Sequence, residues 1–335
     1  MQAVAYGLSG PVLTETERAF FRDAQPAGFI LFRRNCETPE QLLRLTDALR
    51  DVSGRADVPI LIDQEGGRVA RMRAPEWPEF PTGEAFARLY RRAPSSAIEA
   101  ARSNARALAL MLKGAGINVN CLPLLDVRQE GAHDIIGDRA LGSEPMQVAA
   151  LGRAVLDGMA SAGVVGVIKH IPGHGRALAD SHLELPVVDA TAEELEFDLE
   201  PFERLHWAPM GMVAHLLYTA WDDQRQSSLS PKVIHEIIRG RIGFDGWLIS
   251  DDINMKAMSG EMGQRAAGVV AAGCDVALHC SGMMEEMISV AEAIPPMSAE
   301  GEARLVRAMA TAAIPDDGPD FAEAVATRDE LLALV

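Results

Sequence analysis

Hydrophobic positions in this chain follow two alternating patterns. Short, nearly unbroken apolar runs are bounded by glycine or proline, and longer stretches between them repeat their apolar residues with a helical period. An unbroken run of this kind predicts a strand covered on both faces, as in a parallel sheet. Eight can be read: Ala3 to Leu8, Gly28 to Phe32, Pro59 to Asp63, part of Ile117 to Asp126, Val164 to His170, Met210 to His215, Gly246 to Asp251 and Asp275 to Cys280. The intervening helices carry start signals. Thr14 with Glu17 and Thr191 with Glu194 have capping-box spacing, in which hydroxyl and carboxylate each satisfy an orphan backbone group. Thr38-Pro39 and Ser230-Pro231 set a capping hydroxyl before a proline at the first helical position. Gly114, Gly163, Gly240 and Gly273 follow the last helical residues and are expected to supply left-handed stops.

Eight strand–helix alternations with right-handed crossovers predict an α/β chain built as a closed (β/α)8 TIM-type barrel, ahead of an open doubly wound sheet. From Met297 to Val335 the pattern turns to Ala- and Glu-rich helix, interrupted by Pro315-Asp-Asp-Gly-Pro319. The expected organisation is a catalytic barrel over residues 1–296 and a C-terminal helical appendix, 297–335, packed on it.

Composition narrows the function classes. The formal charge of −17 and pI near 4.9 oppose nucleic acid or anionic lipid as a partner, because a phosphate backbone attracts a basic face. Cys36, Cys121, Cys274 and Cys280 have no zinc-type spacing and read as reduced thiols. Met1 to Gly10 has no basic region followed by an apolar core, and no uncharged apolar run is long enough to span a bilayer. A soluble, cytoplasmic protein is expected.

Candidate chemistry collects where the predicted strands stop, which in parallel α/β folds is where ligands bind. Asp63 closes the third strand, Asp126 the fourth, Lys169 and His170 the fifth, His215 the sixth, Asp251 and Asp252 the seventh. The loop Lys169 to His182 alone holds three of the eight histidines. Within it, Asp180 and His182 have dyad spacing: the aspartate would fix the imidazole tautomer and favour the proton a general acid donates. A loop whose Asp and His merely tie down backbone satisfies the same local pattern. Asp251 is delivered by the stiff run Trp247-Leu-Ile-Ser250, as a carboxylate nucleophile requires. Strand alternation turns only one of the pair Asp251 and Asp252 to the barrel axis, which leaves Asp252 to cap the following turn. In Asp63-Gln-Glu-Gly-Gly-Arg-Val-Ala-Arg71, carboxylate and guanidinium groups together suit a hydroxyl-rich ligand.

With these residues in hand, the chain resembles the bacterial β-N-acetylhexosaminidases of glycoside hydrolase family 3, of the single-domain, peptidoglycan-recycling type. Four motifs occur in the family's order: Asp63-Gln-Glu-Gly-Gly-Arg-Val, Lys169-His-Ile-Pro-Gly-His-Gly, Ala179-Asp-Ser-His182 and Gly243-Phe-Asp-Gly-Trp-Leu-Ile-Ser-Asp-Asp252. Gly28-Phe-Ile-Leu-Phe-Arg-Arg-Asn35 and Gly137-Asp-Arg-Ala-Leu-Gly142 extend the likeness over residues 1 to 295. Ile171 stands where many relatives have phenylalanine. The resemblance implies Asp251 as nucleophile, His182 supported by Asp180 as acid/base, and Asp63, Arg71, Arg139, Lys169 and His170 as the holders of N-acetylglucosamine. It further implies a monomer acting in the cytoplasm on a small muropeptide or N-acetylglucosaminide. No cofactor, metal, nucleic acid or membrane is called for. Two other readings compete. His170, His174, His182, His215 and Asp251 could serve a metal-dependent hydrolase on the same barrel, although the usual ligand spacings are missing. A non-catalytic sugar-binding barrel is the other, since fold does not fix function.

Overall fold

The computed structural model describes residues 1–131, 133–179, 184–313 and 318–335. Its centre is a closed barrel of parallel strands: β1 (Gln2–Gly7), β2 (Pro26–Leu31), β3 (Ile60–Ile62), β4 (Val119–Asn120), β5 (Val165–Ile171), β6 (Met210–Val213), β7 (Trp247–Asp252) and β8 (Val276–His279). Each strand pairs with its neighbours in chain order, and β1 closes on β8 through Val4 opposite Ala277 and Tyr6 opposite His279. Every residue of β2 and β5 is buried, as the unbroken apolar runs require.

Ten α-helices surround the barrel among the described residues: α1 (Glu15–Ala24), α2 (Pro39–Ser53), α3 (Gly83–Arg92), α4 (Pro94–Gly114), α5 (Pro145–Ser161), α6 (Ala192–Arg204), α7 (Met262–Ala272), α8 (Met284–Ala293), α9 (Ala299–Ala310) and α10 (Phe321–Leu332). A π-helical segment, Val233–Arg241, covers the crossover from β6 to β7. The start signals act as expected. Thr14 and Thr191 form reciprocal capping boxes with Glu17 and Glu194. Thr38 accepts from the Gln41 amide, and Ser230 Oγ accepts from that of Val233. The stops are only half as predicted. Gly163 and Gly273 are left-handed, whereas the positive φ near the other two expected stops falls on Gly116 and Gly243. Gly114 is itself the last residue of α4, and Gly240 lies inside a helical segment that ends at Arg241.

Two features could not be read from periodicity. Val187–Val188 and Leu217–Tyr218 pair as a small parallel sheet outside the barrel. The long fourth run yields only a two-residue strand, after which Pro123, lacking an N–H, interrupts the ladder. The chain nevertheless stays beside β5, with Leu125 N donating to Lys169 O at 2.7 Å, and so carries Asp126 to the rim.

At the other end of the barrel, Arg304 on α9 donates to Asp245 Oδ1 at 3.0 Å and to Asp275 Oδ1 at 3.1 Å. Arg328 on α10 reaches Asn104 Oδ1 of α4 at 3.3 Å. Among the described residues no helix is long and apolar enough to cross a membrane.

Barrel closure leaves a testable constraint. A Cβ on Gly7, at the end of β1, would lie 2.4 Å from the Cys280 carbonyl oxygen, whereas a Cβ on Gly10 meets nothing within 4 Å. Gly7→Ala is expected to cost about 1–3 kcal/mol through backbone overpacking, and Gly10→Ala to stay close to wild type. Urea unfolding midpoints of the two variants check this, and equal midpoints would contradict it.

Candidate active site

Lys169 lies on the fully buried strand β5, and its side chain is only 2% exposed. An ammonium group taken out of water needs counter-charges. Two carboxylates supply them: Nζ donates to Asp63 Oδ1 at 2.9 Å and lies 2.7 Å from Glu65 Oε1. Each carboxylate is in turn held by an arginine. Arg71 reaches Asp63 Oδ2 at 3.1 Å, and Arg139 grips Glu65 with a two-pronged contact, Nε to Oε2 and Nη2 to Oε1, both 2.8 Å. Burial opposes ionisation of Asp63, but Lys169 and then Arg71 outweigh it and hold the carboxyl well below its usual range. Burial likewise opposes ionisation of Glu65, which Lys169 and Arg139 hold at about 2. Burial would lower the Lys169 value, yet Asp63 and Glu65 raise it, so the ammonium keeps its charge at neutral pH.

The next strand end builds a second polar cluster. Asp126, fully buried, accepts from the backbone amides of His170 at 3.2 Å and His174 at 2.7 Å, and its Oδ2 meets His170 Nδ1 at 2.7 Å. Burial works against its ionisation, and His170 keeps it at about 2. With Nδ1 engaged, Nε2 is the His170 nitrogen that can serve a ligand. Burial, reinforced by His170 alongside, lowers His174 to about 4, so that imidazole is neutral.

Asp251 and Asp252 end β7. The pairing of β7 with β8 shifts register between Val276 opposite Ile249 and Leu278 opposite Asp252. That bulge corrects one expectation. Strict alternation would have aimed only one of the pair at the axis, yet both line the same cavity, since a bulge re-aims side chains. Asp252 also caps the turn as expected, accepting from Asn254 N at 2.9 Å. His215 takes a different place from the rim role considered for it. Its Nε2 lies 3.1 Å from the Asp252 carbonyl oxygen and its Nδ1 2.7 Å from Ser228 Oγ, and burial keeps the ring below its usual pKa. A carbonyl only accepts, so Nε2 carries the proton and Nδ1 accepts from the serine.

One cavity of about 220 Å³ brings together Asp63, Arg71, Arg139, Lys169, His170 and Asp251, while Asp126 and His215 lie behind its wall. His174, considered from sequence only as a candidate metal ligand, lines it too, as do Glu65 and Phe32, which sequence reasoning did not single out as ligand-holding residues. A signal for Glu65 was present: two positions from Asp63, it falls on the same side of an extended segment. Phe32 sits between two guanidinium groups, Arg34 at 4.8 Å and Arg71 at 5.3 Å from its ring centre. Asp180 and His182 lie outside the described residues. Among the described residues no three His, Cys, Asp or Glu side chains are arranged to hold a metal ion.

Comparison with known proteins gives this geometry a context. The glycosyl hydrolase family 3 N-terminal domain matches residues 6–310. A β-hexosaminidase of Alkalilimnicola ehrlichii is 38% identical over 306 positions, covering 90% of this chain and 86% of that one. One of Chromobacterium violaceum is 37% identical over 339 positions, covering 98% and 94%. Among solved structures, NagZ of Neisseria gonorrhoeae in complex with N-trifluoroacetyl-D-glucosamine has a TM-score of 0.88 at 30% identity, over 99% of this chain and 98% of that one. A family 3 β-N-acetylglucosaminidase of a Paenibacillus species has a TM-score of 0.87 at 28% identity, over 98% of this chain and 66% of that one. A parallel barrel with a carboxylate-lined cavity at its strand ends, matched along its length to such relatives, is a glycosidase. The chain belongs to glycosyl hydrolase family 3, with the β-hexosaminidases of that family.

Two predictions follow from the charges. Lys169→Met leaves Asp63 and Glu65 buried without their shared cation and is expected to cost about 3–5 kcal/mol. Adding Glu65→Gln to that variant should restore part of the loss. Urea midpoints of the single and double variants decide the matter, and an additive second loss would contradict it.

The pH dependence has a definite sign. Glu65 and Asp126 sit at about 2 in the fold against ordinary values of 4.5 and 3.8. The unfolded chain therefore binds more protons in acid. Their stabilisation is complete above about pH 4.5 and is lost as pH falls toward about 2. Urea midpoints should decline more steeply between about pH 5 and pH 3 for wild type than for Glu65→Gln. Parallel curves would show that Glu65 contributes nothing.

Proposed function

We propose that this enzyme is a retaining exo-β-N-acetylglucosaminidase that removes the terminal, non-reducing N-acetylglucosamine from peptidoglycan fragments, 1,6-anhydro-muramoyl peptides among them. The observation that carries the reading is the opening of Asp251, at the end of a buried strand, into a small cavity walled by Lys169, Asp63 and Arg71. A cavity of this size receives one sugar ring, which favours cleavage at a chain end. Fixed donors and acceptors suit hydroxyl groups, and the buried Arg71 Nε has no partner among the described residues, a donor left for a ligand. The N-trifluoroacetyl-D-glucosamine bound by the Neisseria relative supports an amino sugar.

In this mechanism Asp251 attacks the anomeric carbon as the glycosidic bond breaks, and protonated His182 donates its proton to the leaving oxygen. Asp180 orients the imidazole and favours its charged form. The neutral imidazole then removes a proton from water, whose oxygen displaces Asp251 from the anomeric carbon and restores the free carboxylate. Two inversions give net retention, with histidine in place of the usual carboxylic acid. Asp63, Arg71, Arg139, Lys169 and His170 hold the sugar, and the acetamido group acts as a recognition handle. We read the enzyme as a cytoplasmic monomer that needs no cofactor. Four free thiols agree with a reducing compartment.

The test uses aryl N-acetyl-β-glucosaminide and aryl β-glucoside, with and without a chelator. Strong preference for the first is expected, because a pocket built for the acetamido group leaves polar partners unpaired when it is missing. Equal rates on both would sink the specificity claim, and loss on chelation restored by zinc would favour the metal-dependent reading. A slow fluorosugar analogue should leave a covalent label on Asp251, and Asp251→Asn should lose nearly all turnover. His182→Ala should slow poor leaving groups far more than activated aryl ones. An inverted product, or label on Asp252, would overturn the assignment.

A further inference from the structure

The nucleophile's strand ends where its hydrogen-bond ladder fails. Between Ile249 and Asp252, three steps on β7 oppose two on β8, and a bulge of this kind leaves the local backbone without regular pairing. Side chains take over the task. Ser250 Oγ donates to the Asp251 carbonyl oxygen at 2.8 Å and accepts from Leu278 N at 3.1 Å. Beyond the bulge Asp252 Oδ1 accepts from Asn254 N, and Asn254 reaches across to the end of β8. Its Oδ1 accepts from Cys280 N at 2.9 Å and Ser281 N at 3.2 Å.

What orients that amide lies on α8. Glu286 Oε2 accepts from Asn254 Nδ2 at 2.7 Å and from Ser281 Oγ at 2.5 Å, and it meets His279 Nε2 at 3.0 Å. One carboxylate oxygen thus gathers the turns after β7 and β8. Burial opposes ionisation of Glu286, and its bonds to Ser281, His279 and Asn254 outweigh it, so the carboxylate is held below its usual range. His279 is fully buried and neutral, since burial lowers its pKa, and it serves as a donor without adding charge. Ser250, Asn254, His279, Ser281 and Glu286 do not line the cavity.

We infer that Glu286, acting through Asn254, is a positioning residue for the nucleophilic carboxylate of Asp251. The inference rests on the reading of Asp251 as nucleophile. On the other side His215, just after β6, grips the Asp252 carbonyl, so the turn that follows Asp251 is held by His215 and, through Asn254, by Glu286 of α8. Such a device acts on the attack step and leaves sugar recognition to the Lys169 cluster on the far wall.

The experiment compares wild type, Glu286→Ala, Glu286→Gln and Asn254→Ala on an activated aryl N-acetyl-β-glucosaminide, together with the rate of fluorosugar labelling. Glu286→Ala and Asn254→Ala should lower kcat about tenfold to a hundredfold, the scale of a small misplacement of reacting atoms. Labelling should slow in parallel, with KM little changed. Glu286→Gln should recover most of the rate, because its amide oxygen still accepts from Asn254. If Glu286→Ala does not fold, Ser281→Ala removes a single donor from the same oxygen and should give a smaller fall in kcat. A raised KM at unchanged kcat, labelling as fast as wild type, or a glutamine variant no better than alanine would overturn the inference. Wild-type label on a residue other than Asp251 would remove both this inference and the nucleophile assignment. Label on Asp251 with unimpaired variants removes only the role of Glu286.

Discussion

The ammonium group of Lys169 sits inside the barrel mouth with almost no water around it, and Asp63 and Glu65 make that position tenable. Three charges close together in a medium of low dielectric interact strongly, but each also bears a desolvation cost, so the set is stable only if every member is present. Arg71 and Arg139 complete it from the outside. Residues from β5, from the loop after β3 and from the 3-10 turn at 137–139 are thereby locked to one another. The floor of the cavity is a consequence of that lock.

A fixed array of donors and acceptors suits a hydroxyl-rich ligand, since the sugar can exchange water for groups that need no reorganisation. The carboxylate of Asp251 comes from another strand end. Asp251 stands on β7, within a bulge that takes its backbone out of regular pairing, and the side chains of Ser250, of His215 just after β6 and of Asn254, held by Glu286 of α8, supply the missing constraint. The charge cluster around Lys169 and the Asp251–Asp252 pair therefore reach one cavity from different strand ends. The arrangement follows from the parallel barrel, whose strand ends all open at the same face.

Particular elements show where local pattern was enough. The unbroken apolar runs of β2 and β5 become strands buried on both faces, and the threonine–glutamate boxes at Thr14 and Thr191 cap their helices. Failures occurred where distant packing decides a local conformation. Gly114 and Gly240 look like left-handed stops, but Gly114 is the last residue of α4, Gly240 lies inside its helical segment, and the left-handed turns fall on Gly116 and Gly243. Val187–Val188 and Leu217–Tyr218 are too short to carry a period, and they pair only because the loops after β5 and β6 lie side by side.

By itself the sequence determined the alternation of strands and helices, hence the barrel, and the gathering of Asp63, Lys169, His170 and Asp251 at one rim, whereas Arg71 and Arg139 were assigned to the site through the family resemblance. Side-chain period and strand order are sufficient for both, because every parallel strand delivers its last residues to the same end. Only the tertiary structure decided which charges share a partner. Glu65 joins Lys169 and Arg139, Asp126 orients His170, and Asp252 faces the cavity beside Asp251. Those pairings depend on distances between strands far apart in the chain and on a bulge set by the neighbouring strand, and no window of sequence contains either.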